Sequence, residues 1–137
     1  MGNDREAHRR TLAEAIGMTA ELAEIIARVA QDELEAGRPD PARVILEGLV
    51  VTNPRDWAAW ALLARAHRAL GQPLAARFCA EVAGTLEPEH PAVRLAQAEG
   101  LLPFPEDHPR AKDLLRLLAA SKAEEAARAR ALLSALG

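Results

Sequence analysis

Residues 57–88 read WAAWALLARAHRALGQPLAARFCAEVAGTLEP, and this stretch decides the fold. Its apolar residues recur at helical spacing on both sides of a single break, Leu70-Gly71-Gln72-Pro73. Gly71 can take the left-handed conformation that ends one helix, and Pro73 supplies a preset first turn for the next. Ala64, Ala76 and Ala83 are small where two antiparallel helices would cross closest. A larger side chain there would push the axes beyond the usual ~8–10 Å. The stretch therefore predicts two paired helices, about Trp57 to Leu70 and Pro73 to Leu86, with Asp56 as the cap of the first and Pro88 closing the unit.

The same signals return at an interval of 34 residues in both directions. Gly37, Ala42 and Pro54 precede Gly71, Ala76 and Pro88 by that interval, and Ala30, Ala64 and Ala98 share one register. Counted from Trp57, the residues Trp60, Leu63, Ala64, Leu70, Gly71, Ala76, Ala83 and Pro88 fill the large, small, Gly and Pro places of the tetratricopeptide (TPR) repeat, which the stretch resembles. The expected fold is all-α: three TPR helix-turn-helix repeats stacked as a short right-handed α-solenoid, forming one domain over 1–137. Its parts are an N-terminal helical extension (1–19), repeats at 23–56, 57–90 and 91–121, and a C-terminal capping helix (122–137).

Local signals place the remaining helices. A helix from about Arg5 to Ile16 carries only the narrow apolar stripe Leu12, Ala15 and Ile16, so it must dock on the first repeat, pair with another copy, or fray. Thr19 caps a helix from about Ala20 to Ala36, with Leu22, Ile25, Ile26, Val29 and Ala30 at helical spacing. Asp40 and Pro41 are expected to start the next, through about Val51, turning Ala42, Ile45, Leu46 and Leu49 inward. Pro91 opens a helix ending near Leu102, after which Pro103-Phe104-Pro105-Glu106-Asp107 stands in for the short glycine turn. One added residue restores the register, with Ala111, Leu115 and Leu118 inward on a helix from Pro109 capped by Asp107 or His108. Ser121 with Glu124 forms a capping box for a last helix, about Lys122 to Leu136, whose Glu124, Glu125, Arg128 and Arg130 make a wet face.

Composition narrows the function classes. Half of the 137 residues are hydrophobic and 27% are charged, the balance of a globular chain. A formal charge of −3 without a basic stripe gives no electrostatic case for nucleic acid or an anionic membrane surface. No apolar run approaches the ~20 residues of a membrane span, so no membrane insertion is expected. Met1 to Arg10 is polar, with no signal-peptide core, and the lone Cys79 suits a reducing compartment; the expected location is cytoplasmic. His8, His67, His90 and His108 are scattered with no ligand spacing, so neither metal nor cofactor is expected. His67 and Cys79 read as packing residues. Phosphate loops and nucleophile elbows are missing, and no residue is assigned a catalytic role: the chain is read as no enzyme.

In TPR repeats the first helix of each pair faces a concave groove, and the register names the residues there. The first repeat offers Glu24, Ala27, Gln31, Leu34 and Glu35; the second offers Ala58, Ala61, Arg65, Arg68 and Ala69; the third offers Ala92, Leu95, Glu99 and Leu102. As a peptide-binding site these give a small-residue floor (Ala27, Ala58, Ala61, Ala92), apolar sides (Leu34, Leu95, Leu102) and a polar rim (Gln31, Arg65, Arg68, Glu99). Shallow pockets of this kind receive Leu or Pro anchors from an extended segment. Arg65 and Arg68 either pair with that segment or are solvated. Ala27 and Gln31 stand where a clamp for a C-terminal carboxylate would need Lys and Asn, which argues against that recognition mode.

One further resemblance is carried by Leu34-Glu35-Ala36-Gly37 with Ala42, by Ala69-Leu70-Gly71-Gln72 with Ala76, and by Pro88-Glu89-His90-Pro91 leading to Ala98-Glu99-Gly100-Leu101-Leu102. Over about Ala20 to Ala120 the chain resembles the class II chaperones of bacterial type III secretion, which hold translocator proteins. The resemblance implies a secreted translocator-type partner, gripped by an extended segment in the groove, and a homodimer formed through Leu12, Ala15 and Ile16. A needle-subunit co-chaperone of the same system and a generic TPR scaffold in a regulatory complex are the alternatives.

Overall fold

The computed structural model describes residues 17–137. The expected helix Arg5–Ile16, with its dimerisation residues Leu12, Ala15 and Ile16, lies outside them.

Among the described residues there are seven α-helices, and most begin where the sequence supplies a capping oxygen, an imidazole or a proline. The Thr19 hydroxyl accepts the Leu22 N–H at 3.1 Å to open α1, Ala20–Glu35. Helix α2 is Pro39–Thr52, starting at Pro39 and not at the expected Asp40-Pro41. Pro39 already meets the first-turn requirement, and the Asp40 carboxylate turns outward to Arg43 at 3.0 Å. Asp56 accepts the Ala59 N–H at 3.0 Å to start α3, Trp57–Ala69, and Pro73 leads α4, Pro73–Leu86. His90 Nδ1 accepts the Ala92 N–H at 3.1 Å at the head of α5, Pro91–Leu101. Helices α6, His108–Ala119, and α7, Ala126–Leu136, complete the chain. Gly37 and Gly71 end their helices at φ +77° and +72°, the left-handed geometry that glycine meets without strain.

Consecutive helices pack as neighbours from α1 to α7, and the first helices of successive pairs also touch, α1 with α3 and α3 with α5. The second helices of successive pairs have at most glancing contact. This asymmetry makes the α1-α3-α5 side the inner wall. Its close crossings are closed over buried alanines: Ala30, Ala64 and Ala98 in one register, Ala42, Ala76 and Ala111 in the facing one. Larger side chains fill the space beside them, with Leu46, Val93, Leu101, Leu115 and Leu118 almost fully buried.

Three departures from the sequence reading have local causes. On α1 the set with helical spacing is buried only at Ala30; Leu22, Ile25 and Val29 are exposed, and among the described residues α1 packs only against α2 and α3. The segment after α5 turns through a 3-10 helix, Pro105–Asp107, without a left-handed residue. Side chains hold that turn: the Arg77 guanidinium lies 4.8 Å over the Phe104 ring and pairs with Asp107 at 2.7 Å, and His108 Nε2 donates to the Leu102 carbonyl at 2.8 Å. Finally, the last helix starts at Ala126, not near Lys122. The Ser121 hydroxyl donates to the Leu118 carbonyl and accepts the Ala123 N–H, closing a turn at the end of α6 in place of a capping box.

The same substitution should act with opposite sign at two glycines. Gly48 lies in the exposed interior of α2, where an added Cβ meets nothing within 4 Å, so Gly48→Ala should raise stability by ~0.5–1 kcal/mol. Gly71→Ala forces a side chain into left-handed geometry and should lower it by ~1 kcal/mol or more. Urea melts followed by circular dichroism check both.

Candidate functional site

The inner wall holds a cavity of about 400 Å³. Ala58 and Ala61 come from α3 and Ala92 and Leu95 from α5, all half-buried, and they form its apolar floor and side. Gln31 of α1, Arg65 and Arg68 of α3 and Glu99 of α5 stand at its polar edge. Helical periodicity explains the grouping, since Gln31, Arg65 and Glu99 repeat at the 34-residue interval and so occupy one row across three helices. Ala27 and Leu34 pack against the core cluster instead, and Leu102 lies half-buried just past the end of α5. None of these three lines the cavity.

Trp57, His90, Glu124 and Glu125 are among the lining residues that the register reading did not name for the groove. The Trp57 and His90 rings stand 4.5 Å apart, tilted by 41°, and close one edge of the cavity. His90 was visible in the sequence only as a residue before Pro91; its capping bond fixes the ring beside Trp57. Glu124 and Glu125 belong to the turn ahead of α7 and face the same cavity. Their expected place on a wet helix face assumed a helix that began earlier.

Charge at the site is organised around Glu99, whose side chain is only 17% exposed. Its Oε2 accepts from Arg68 and, at 3.3 Å, from Arg128 of α7. One carboxylate thus ties α3, α5 and α7 together across the groove. Arg65 makes no ion pair among the described residues, and neither do Glu124 and Glu125. A second hollow of about 310 Å³ continues past Arg68 and Glu99 toward the α3–α4 turn at Gly71 and Pro73.

His67 and Cys79 lie away from the cavity. His67 Nδ1 is 2.7 Å from Gln72 Oε1 and braces the α3–α4 turn. Cys79 is buried, and that burial, aided by the Glu47 charge, pushes its thiol up to about 11. It is protonated at neutral pH and packs as a small apolar residue. Among the described residues, no group of His, Cys, Asp and Glu is arranged to hold a metal ion, and no helix is long and apolar enough to cross a membrane.

Solved structures with a similar fold include proteins of type III secretion. The Yersinia enterocolitica type III secretion translocator chaperone SycD superposes with a TM-score of 0.76 at 21% identity, over 92% of this chain and 98% of that one. A type III secretion complex from Aeromonas hydrophila gives 0.80 at 24% identity, over 97% and 92%. PcrH from Pseudomonas aeruginosa gives 0.72 at 23%, over 85% and 92%. SycD has been solved with a peptide of the translocator YopD and in an alternative dimer, and PcrH with the chaperone binding regions of PopD and PopB. No protein-family model and no curated protein matches the sequence.

Two outcomes are expected of these side chains. Replacing the shared carboxylate, Glu99→Gln, leaves Arg68 and Arg128 facing each other; amide hydrogen exchange should quicken across Ala126–Leu136 while α2 is unchanged, with ~1 kcal/mol lost overall. For Cys79 the folded pKa lies above the usual 9.0, so the unfolded chain gives up its thiol proton first. The stability Cys79 contributes is therefore full below pH 9.0 and lost as pH rises toward about 11. The difference in urea stability between the wild type and Cys79→Ala should fall over that window.

Proposed function

We propose that this chain is a cytoplasmic, non-enzymatic chaperone that holds an extended apolar segment of a type III secretion translocator in its inner groove until export. The observation that carries the reading is the unfilled alanine-floored cavity between α3 and α5. Alanines at Ala58, Ala61 and Ala92 leave hollows the size of a Leu, Val or Pro side chain, and an extended segment fills several in sequence at modest entropic cost. The likeness in fold to SycD and PcrH, both solved with translocator segments, supports the choice of client.

In this reading Ala58, Ala61, Arg65 and Leu95 contact the segment, with Gln31, Arg68 and Glu99 at the edge. Ala27 and Leu34 of α1, and Leu102 just past the end of α5, meet it where it runs past the cavity. The working units are the repeats at 23–56, 57–90 and 91–121, with 122–137 closing the stack and 1–19 preceding it. Leu12, Ala15 and Ile16 supply an apolar stripe for a homodimer, a reading in keeping with the SycD dimer. Catalysis has no place in the scheme, since among the described residues the groove presents no nucleophile with a neighbouring base.

Ala61→Glu puts a carboxylate on the apolar floor. It should weaken binding of a co-expressed translocator by at least about thirty-fold, ~2 kcal/mol, while the far-ultraviolet circular dichroism stays that of the wild type. A partner that co-purifies undiminished with a folded Ala61→Glu protein would falsify the groove assignment.

A further inference from the structure

The charges around the cavity are unevenly distributed, and this goes beyond the shape of its floor. Along the row formed by Gln31, Arg65 and Glu99, the last carboxylate is already neutralised by Arg68 and Arg128. Beyond it, on the side of α7, Glu124 and Glu125 line the cavity with no ion-pair partner among the described residues. Arg128, the cation nearest them in sequence on α7, is bound to Glu99, and Lys122 makes no ion pair. Arg65 of α3 also lines the cavity, is exposed, and makes no ion pair among the described residues. Among the described residues the cavity thus combines an apolar floor, one unpaired cation at Arg65 and two unpaired carboxylates in the turn ahead of α7.

Resting on the chaperone reading above, we infer that the client segment is recognised by charge as well as by its apolar anchor: it carries a Lys or Arg that Glu124 and Glu125 receive. An acidic residue at that place faces two carboxylates and is rejected, so the pair selects against segments as well as for them. Because the α7 segment sits outside the repeat register, this preference belongs to the chain's own C-terminal turn and not to the TPR pattern.

Selection of random dodecapeptides displayed on phage, against the wild type, Glu124→Lys/Glu125→Lys and Ala61→Glu, tests the inference. Wild-type protein should enrich an apolar anchor with Lys or Arg on one side of it. The double Lys variant should enrich Asp or Glu at that place. In fluorescence anisotropy, labelled copies of an enriched peptide should bind the wild type about five-fold tighter than the same peptide with Glu for the basic residue, a preference that fades at about 0.5 M salt. Ala61→Glu should retain none of the peptides. If Ala61→Glu removes binding but wild type and double Lys variant enrich the same residues beside the anchor, this inference fails and the groove reading stands. Peptides that still bind Ala61→Glu overturn both, and a wild-type pool without any basic preference overturns the inference alone.

Discussion

The close approach of helices over alanine is the constraint on which the rest of this structure depends. Ala30, Ala64 and Ala98 on the first helices and Ala42, Ala76 and Ala111 on the second are all buried, and side chains this small let paired helices approach closely. Repeating that crossing at a constant interval makes each pair the template for the next and spreads one core through the stack as a ladder. Stability in such a ladder is a sum of nearest-neighbour interfaces. An overpacked crossing would therefore disturb the adjoining pairs more than the far end.

The groove follows from the same economy of volume. First helices touch one another while second helices barely do, so the stack curves, and the inner wall faces open space with alanines where a bulkier residue would have filled it. The ion pairs at Glu99 then set how open that wall is, since they bind the last helix to the third and fifth. In contrast the outer helices present Val44, Val51, Leu74 and Phe78 to solvent, scattered over α2 and α4. Only Phe78 has a described aromatic neighbour, the edge-on Trp60 ring at 6.2 Å.

What could be read from the sequence was what recurs. Gly71, Pro73, Ala64 and Ala76 encode a helix pair because each signal has a steric meaning at its own place, and repetition turns the pair into a fold. Eight of the eleven residues read as the peptide-binding site line the cavity for the same reason: one register places them on one face. Features without a repeat counterpart were harder to read. The start of α7 depended on a choice between two uses of the Ser121 hydroxyl that local sequence leaves open, and once Ser121 closed the α6 turn, Glu124 and Glu125 moved from an outer face to the cavity. Likewise the pairing of Arg68 with Glu99 and Arg128 joins residues far apart in the chain, and no local pattern announces it. The exposed stripe on α1 shows the converse, since periodicity marks an apolar face without saying whether the stack supplies a neighbour for it.

Site-specific photocrosslinking tests the central claim most directly. Benzoylphenylalanine would replace Ala92 on the inner wall in one protein and Leu74, 73% exposed on outer helix α4, in another, each co-expressed with a translocator. The account predicts a crosslink from position 92 that maps to an extended apolar segment of the translocator, and none from position 74. Crosslinking from 74 with silence at 92 would contradict it, because the client would then lie on the convex side and the alanine-floored groove would have no part in holding it.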